Sequence, residues 1–282
     1  MATFYNQASL SYNGLVTNSN ITEGEIINSI TVTKTPLNAS YSIGSSIAYA
    51  ISIQNADVGD LCSLSITDDL GAYTVGENTV YPLSYVENSV RYYLNGVESD
   101  APTVTSTAPL TISDIDVPGE SNILIIYEAS TNEFTPPAAQ SSITNTVTAT
   151  GCCITDPITA EATVTISTST ALTIAKSVCP DTVVGCGELT YTFVLQNTGN
   201  AAADAASNVV IRDVFNPKFE SVSVTVDGQI APTTAYSYDS VTGLFQTTEG
   251  ALIVPAATFT QNPDGTITTT PGVTVVKVTG EV

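Results

Sequence analysis

Residues 34–55, KTPLNASYSIGSSIAYAISIQN, and residues 176–197, KSVCPDTVVGCGELTYTFVLQN, align without a gap. Lys34 falls on Lys176, Tyr49 on Tyr191 and Gln54-Asn55 on Gln196-Asn197, with Gly44 one place from Gly187. An internal repeat governs the whole fold reading, so the comparison is extended outward from these stretches. Past an Ala-rich insertion at residues 201–206, Ile66-Thr67-Asp68 falls on Ile211-Arg212-Asp213. Further on, Val117-Pro118 matches Val254-Pro255, and residues 123–127 match residues 274–278. Each copy is a series of alternating apolar and polar segments, broken by turn signals such as Asn95-Gly96, Asp227-Gly228 and Asp264-Gly265. This spacing predicts two tandem β-sandwiches of seven strands or so, with a boundary near Thr170.

Composition supports an all-β chain. Its 44 threonines are interleaved with Val and Ile, residues that fit a pleated surface better than a helix. The 282 residues carry 27 acidic and only 6 basic side chains, a net charge of −21. Binding nucleic acid or an anionic membrane needs clustered cations, and six in 282 residues do not cluster, so both partners are excluded. The absence of His removes the commonest general base and every Ser-His or Cys-His nucleophile pair. Paired acids of the kind used in glycoside hydrolysis are present, but with no Trp and no aromatic platform the chain is not expected to be an enzyme. No apolar run approaches membrane-spanning length, and the N-terminus lacks the basic and apolar regions of a secretory signal.

The two copies end differently. The first, residues 25–169, runs past its 123–128 strand through Pro136-Pro137 into another strand at residues 142–149. The second, residues 170–282, reaches its equivalent of 123–128 and goes no further, so it is predicted to lack its last strand. Residues 1–24 precede the first copy, and residues 4–10 overlay 143–149: Phe4 on Ile143, Asn6 on Asn145, Ala8 on Val147, Leu10 on Ala149. A sandwich without an edge strand exposes unpaired backbone groups and an apolar groove, which a strand from another chain can fill. One expectation is therefore head-to-tail polymerisation of identical subunits, with residues 4–10 as donor strand; such a contact is heterologous and propagates. The other is that residues 4–10 fold back on the first sandwich as an extra edge strand.

Strand parity indicates which side chains point inward. Lys34 shares parity with Ile30 and Val32, and Lys176 with Leu172 and Ile174. Asp68 aligns with Leu64 and Ile66, Asp213 with Val209 and Ile211, and Asn145 with Ile143 and Val147. Lone Lys and Asp residues are seldom placed in a core without partners.

The strings Ile30-Thr31-Val32-Thr33-Lys34-Thr35, Ser65-Ile66-Thr67-Asp68-Asp69 and residues 143–148 resemble the Lys-, Asp- and Asn-bearing strands of an immunoglobulin-like bacterial surface repeat, the domain of unknown function numbered eleven. The resemblance covers nearly the whole chain as two repeats. It implies two immunoglobulin-like sandwiches and a non-catalytic, extracellular structural or adhesive role at a cell or spore surface. The chain departs from the pattern in having two repeats only, with no signal or wall anchor, which tilts the expectation from a wall-anchored monomeric adhesin or ligand-binding module toward a self-assembling fibre subunit. Two readings of the Lys–Asp–Asn trio stay open: a buried ion pair capped by an amide, or a Lys–Asn isopeptide bond of the kind found in many Gram-positive fibre domains. The candidates are Lys34, Asp68 and Asn145 in the first copy, and Lys176 and Asp213 in the second, with Asn6 of an incoming strand in the place of Asn145.

Other constellations are plainer. Asp68-Asp69, Asp114, Asp116 and the Asp57–Asp60 loop have oxygen ligands suited to Ca²⁺ but no complete loop spacing, so no cofactor is expected. The five cysteines, Cys62, Cys152, Cys153, Cys179 and Cys186, fit no metal-site spacing. For a fibre outside the cell at least one disulfide is expected, with Cys179 and Cys186 first and the vicinal Cys152-Cys153 facing another chain.

Overall fold

The computed structural model describes residues 2–26, 30–151, 154, 156–182, 185 and 187–282. The described residues are strand, turn and coil apart from two single-turn 3₁₀ segments, as the β-branched composition requires. A hairpin comes first: β1 (Ala2–Asn6) pairs with β4 (Thr22–Ile26), and β2 (Ser9–Tyr12) with β3 (Leu15–Asn18). Its tip is Asn13-Gly14, both with positive φ, the backbone that a two-residue hairpin turn demands.

The first sandwich contains β5 (Ile30–Pro36), β6 (Ser46–Asn55), β7 (Leu61–Asp68), β8 (Arg91–Leu94), β9 (Thr103–Thr107), β10 (Leu110–Val117), β11 (Ser121–Thr131), β12 (Ser142–Thr150) and β13 (Ile158–Ile166). One sheet runs β8-β11-β6-β5 and the other β9-β10-β7-β12-β13, with short strands at their edges. Inward residues alternate along every long strand, as in Ile47, Tyr49, Ile51 and Ile53 of β6, and close one core from Ile30 to Ile166.

A second, separate core lies between Leu189 and Val278. Its strands are β14 (Leu172–Cys179), β15 (Glu188–Asn197), β16 (Arg212–Val214), β17 (Ser223–Val226), β18 (Tyr236–Asp239), β19 (Leu244–Thr247), β20 (Thr258–Gln261), β21 (Ile267–Thr270) and β22 (Gly272–Glu281). Here the sheets run β14-β15-β22-β17 and β16-β19-β18. The register reproduces the sequence repeat. Ile30 sits opposite Asn55 and Leu172 opposite Asn197; Tyr49 sits opposite Tyr127 and Tyr191 opposite Val278.

The correspondence stops at the second sheet. Where β12 and β13 continue the first sandwich beyond β7, no described residue pairs with the matching edge of β16. Among the described residues two strands of the first sandwich, β12 and β13, have no counterpart in the second, where the sequence reading expected one, because that reading counted β12 as terminal and did not register β13 as its hairpin partner.

Asn55 and Asn197, the paired asparagines of the repeat, close the same corner in each sandwich. The Asn197 amide donates to the carbonyls of Ala201 and Pro255 and accepts from the N–H groups of Ala171 and Gly199. Asn55 donates to Gly59, Val117 and Pro118 and accepts from Asp57. The β20–β21 hairpin then ties the sandwiches together: Gln261 donates to the Tyr73 hydroxyl and the Ile267 N–H to the Glu133 carbonyl. Replacing Asn197 by Ala strands several buried backbone groups, so the second sandwich is expected to lose about 3 kcal/mol in denaturant unfolding; a loss below about 0.5 kcal/mol would show the corner is not structural.

Candidate functional site

The inner face of the first sandwich holds a closed polar cluster. Lys34, on β5, donates to Asp68 Oδ2 at the end of β7 over 2.6 Å, and both side chains are buried to within 1%. Tyr127, on β11, donates to the same Oδ2 over 2.6 Å. Asn145, on β12, donates from Nδ2 to the Tyr127 hydroxyl over 3.0 Å. The Leu70 N–H satisfies Asp68 Oδ1. The structure thus brings Lys34, Asp68 and Asn145 together as their inward parity predicted.

Two tyrosines that the sequence reading passed over complete the cluster. The Lys34 ammonium lies 4.9 Å from the Tyr49 ring centroid and 5.9 Å from that of Tyr127. Burial pushes the Lys34 amine below its ordinary pKa, with the Asp68 charge opposing the shift. Burial, then the Asp68 charge, hold the Tyr127 phenol far above its usual range, so it stays a donor. Asn145 Oδ1 and the Tyr49 hydroxyl are buried without a well-formed hydrogen bond. Both tyrosines share parity with the Ile residues of their strands, the signal that marks them as inward.

The second sandwich repeats half of this arrangement in the open. Lys176 forms an ion pair with Asp213 and stands 4.4 Å from the Tyr191 ring centroid, with Phe215 and Phe193 beyond. Yet the Lys176 side chain is 40% exposed, whereas that of Lys34 is 0%. The residues preceding it follow suit: Ile30 is 7% exposed and its counterpart Leu172 39%, Val32 9% and Ile174 58%. Val278 takes the place of Tyr127, so no phenol reaches Asp213 from β22. The second sandwich has the lysine, the acid and buried aromatic rings, but Lys176, Leu172 and Ile174 stay exposed where their counterparts are covered.

The hairpin is the converse. Residues 3–23 are all exposed, including Phe4, Tyr5, Leu10, Tyr12, Leu15 and Val16, and β1 to β4 pair only with one another. Phe4–Leu10 does not add to the edge of the first sandwich. Phe4, Asn6, Ala8 and Leu10 are therefore free to meet another surface.

The remaining candidates are employed locally. Asp69 accepts from the Gly71 and Thr146 N–H groups, Asp60 from Gly119, and Asp116 from Ser63. Among the described residues no three His, Cys, Asp or Glu side chains converge as a metal site would need. Cys179 is exposed at the end of β14 and unbridged; Cys186, Cys152 and Cys153 lie outside the described residues. No described helix is long and apolar enough to cross a membrane.

No family model matches the chain, and no curated protein does. Among solved structures it is similar to the major pilin subunit of Bacillus cereus, at 13% identity over 96% of this chain and 73% of that one, with a TM-score of 0.40. It is similar to the C-terminal fragment of the major pilin of Streptococcus agalactiae at 15% identity, 81% and 79% coverage and a TM-score of 0.36. A collagen-binding domain from a Staphylococcus aureus adhesin matches at 12% identity, covering 50% of this chain and 99% of that domain, with a TM-score of 0.30. All three likenesses are distant.

The contrast between the two ion pairs sets an expectation. Asp68→Ala leaves a buried ammonium and phenol without their acceptor and should cost the first sandwich about 3–5 kcal/mol. Asp213→Ala removes a solvent-screened partner and should cost under about 1 kcal/mol in the isolated subunit. Equal losses in urea titrations would contradict the asymmetry.

Proposed function

We propose that the chain is the structural subunit of an extracellular protein fibre at a cell or spore surface, built head to tail by donation of the N-terminal segment of one copy to the second sandwich of the next. The observation that carries this reading is the exposure of Leu172, Ile174 and Lys176, whose counterparts Ile30, Val32 and Lys34 are core. An open sheet edge with exposed apolar side chains is a docking surface for an added strand. The same chain carries exposed strands with the inward sequence Phe4, Asn6, Ala8, Leu10, which overlays Ile143, Asn145, Val147 and Ala149. On this reading the protein acts on no external substrate and needs no cofactor.

The trio is the candidate for covalent reinforcement. The neutral Lys34 amine attacks the side-chain carbonyl carbon of Asn145; the new C–N bond replaces the bond to the amide nitrogen, which leaves as ammonia. Asp68 takes the proton from the amine and passes one to the leaving nitrogen, so atoms balance without oxidant or cofactor. The orphaned Asn145 Oδ1 and the lowered Lys34 pKa support this step. In the fibre, Lys176, Asp213 and an incoming Asn6 form the equivalent trio between neighbouring copies.

Deleting residues 1–26 is expected to abolish fibres in negative-stain images while leaving the first sandwich folded; truncated chain that still gives fibres of normal appearance would refute donation. Intact mass should fall by roughly 17 Da per bond, and boiling in detergent with reductant should leave a ladder that Lys176→Ala returns to monomer. Wild-type fibres that dissolve to monomer under those conditions would show that strand insertion operates without the covalent bond.

A further inference from the structure

We infer that the donor enters as a preformed two-stranded hairpin, residues 2–26, and that its return strand, β4, closes the groove against β14. This rests on the head-to-tail reading and specifies what is donated.

Two strands of the first sandwich have no described counterpart in the second. In the first sandwich β12 hydrogen-bonds to the edge of β7, with Val147 opposite Asp68 and Ala149 opposite Ile66. β12 is covered in turn by β13, which runs beside β5 and contributes Ala162, Val164 and Ile166 to the core around Ile30 and Val32. A single strand added to β16 would leave Leu172 and Ile174 in water, since their counterparts are covered by the second arm. It would also leave its own outer edge unpaired.

The hairpin matches these two strands in length and in facing. Ala2 to Ile26 and Ser142 to Ile166 each span 25 residues. In the first sandwich Ile143 pairs with Val164 and Asn145 with Ala162; in the hairpin Phe4 pairs with Gly24 and Asn6 with Thr22. Cross-strand partners share a face, so Gly24 and Thr22 stand where Val164 and Ala162 stand, on the side of Phe4 and Asn6. The Phe4 ring lies over Gly24, a contact that a Cβ would block. On the other face Tyr5 donates to Glu23, matching the outward Thr144–Thr163 pair. Transferring the first-sandwich register puts Ala8 opposite Asp213 and Leu10 opposite Ile211 of the next copy.

The test uses two synthetic peptides, residues 2–26 and residues 2–12, with full-length Thr22→Asp chain as receptor, whose own hairpin carries a charge on the inward face. Calorimetry is expected to show the 2–26 peptide binding at least tenfold more tightly than 2–12, and Thr22→Asp chain is expected to form no fibres, whereas Glu23→Gln chain assembles normally. Equal affinity of the two peptides, or fibres of normal yield from Thr22→Asp chain, would overturn the hairpin and leave single-strand donation standing. Tight, selective binding of 2–26 alongside a wild-type chain that never polymerises would uphold the hairpin and remove the fibre reading instead.

Discussion

A lysine on the inner face of a sandwich is the constraint from which the rest follows. Desolvating an ammonium costs several kcal/mol unless a carboxylate and further polar groups meet it in a closed site. In the first sandwich that closure is complete. Asp68 supplies the charge, Tyr127 and Asn145 extend the hydrogen bonding, Tyr49 and Tyr127 supply aromatic faces, and β12 with β13 seal the cavity. The second sandwich keeps Lys176, Asp213 and Tyr191 in the same register, but the Lys176 side chain is 40% exposed, with Leu172 and Ile174 of the same strand also in water.

Two exposed apolar surfaces lie on one chain, the N-terminal hairpin and the Leu172–Ile174 face of β14, and exposed apolar surface favours association over solvation. On the proposed reading the contact joins two different surfaces, residues 2–26 and the open face of β14, so it is heterologous and each addition renews both. The chain as a whole repels its copies at −21, so encounter is helped by salt that screens beyond about 10 Å. The second sandwich carries four of the six cations but ten acidic residues, and the hairpin carries two acids and no Lys or Arg, so both partners of the proposed contact are negative overall. Any association of copies acts against this general repulsion.

Much of this was legible from periodicity and repeat. The pairing of Lys34 with Asp68, the inward Asn145, and the matched registers of β5–β6 and β14–β15 follow from period-two alternation and a gapless alignment, which hold wherever one face of a sheet is buried. Tyr49 and Tyr127 obey the same parity, yet nothing in parity alone separates a tyrosine that serves a polar cluster from one that simply fills the core. The hairpin was missed for a different reason. Asn13-Gly14 between Tyr12 and Leu15 is a two-residue turn signal as clear as Asn95-Gly96, yet its flanks lack the long apolar alternation that marks a packed strand. Strands that pack on nothing within their own subunit carry the weakest sequence signal, and here those strands are the candidate donor. The second unmatched strand escaped notice because β13 follows a stretch with no close counterpart in the other copy.

The most direct measurement mixes two disabled chains. Leu10→Asp puts a charge on the donor face and keeps an intact groove; Ile174→Asp puts one in the groove and keeps an intact hairpin. Each chain alone should sediment as a folded monomer, and an equimolar mixture should yield a one-to-one heterodimer that grows no further, because one working donor and one working groove meet once. A mixture that stays monomeric, or either variant polymerising by itself, would contradict the closure of the second sandwich by another copy's N-terminal hairpin.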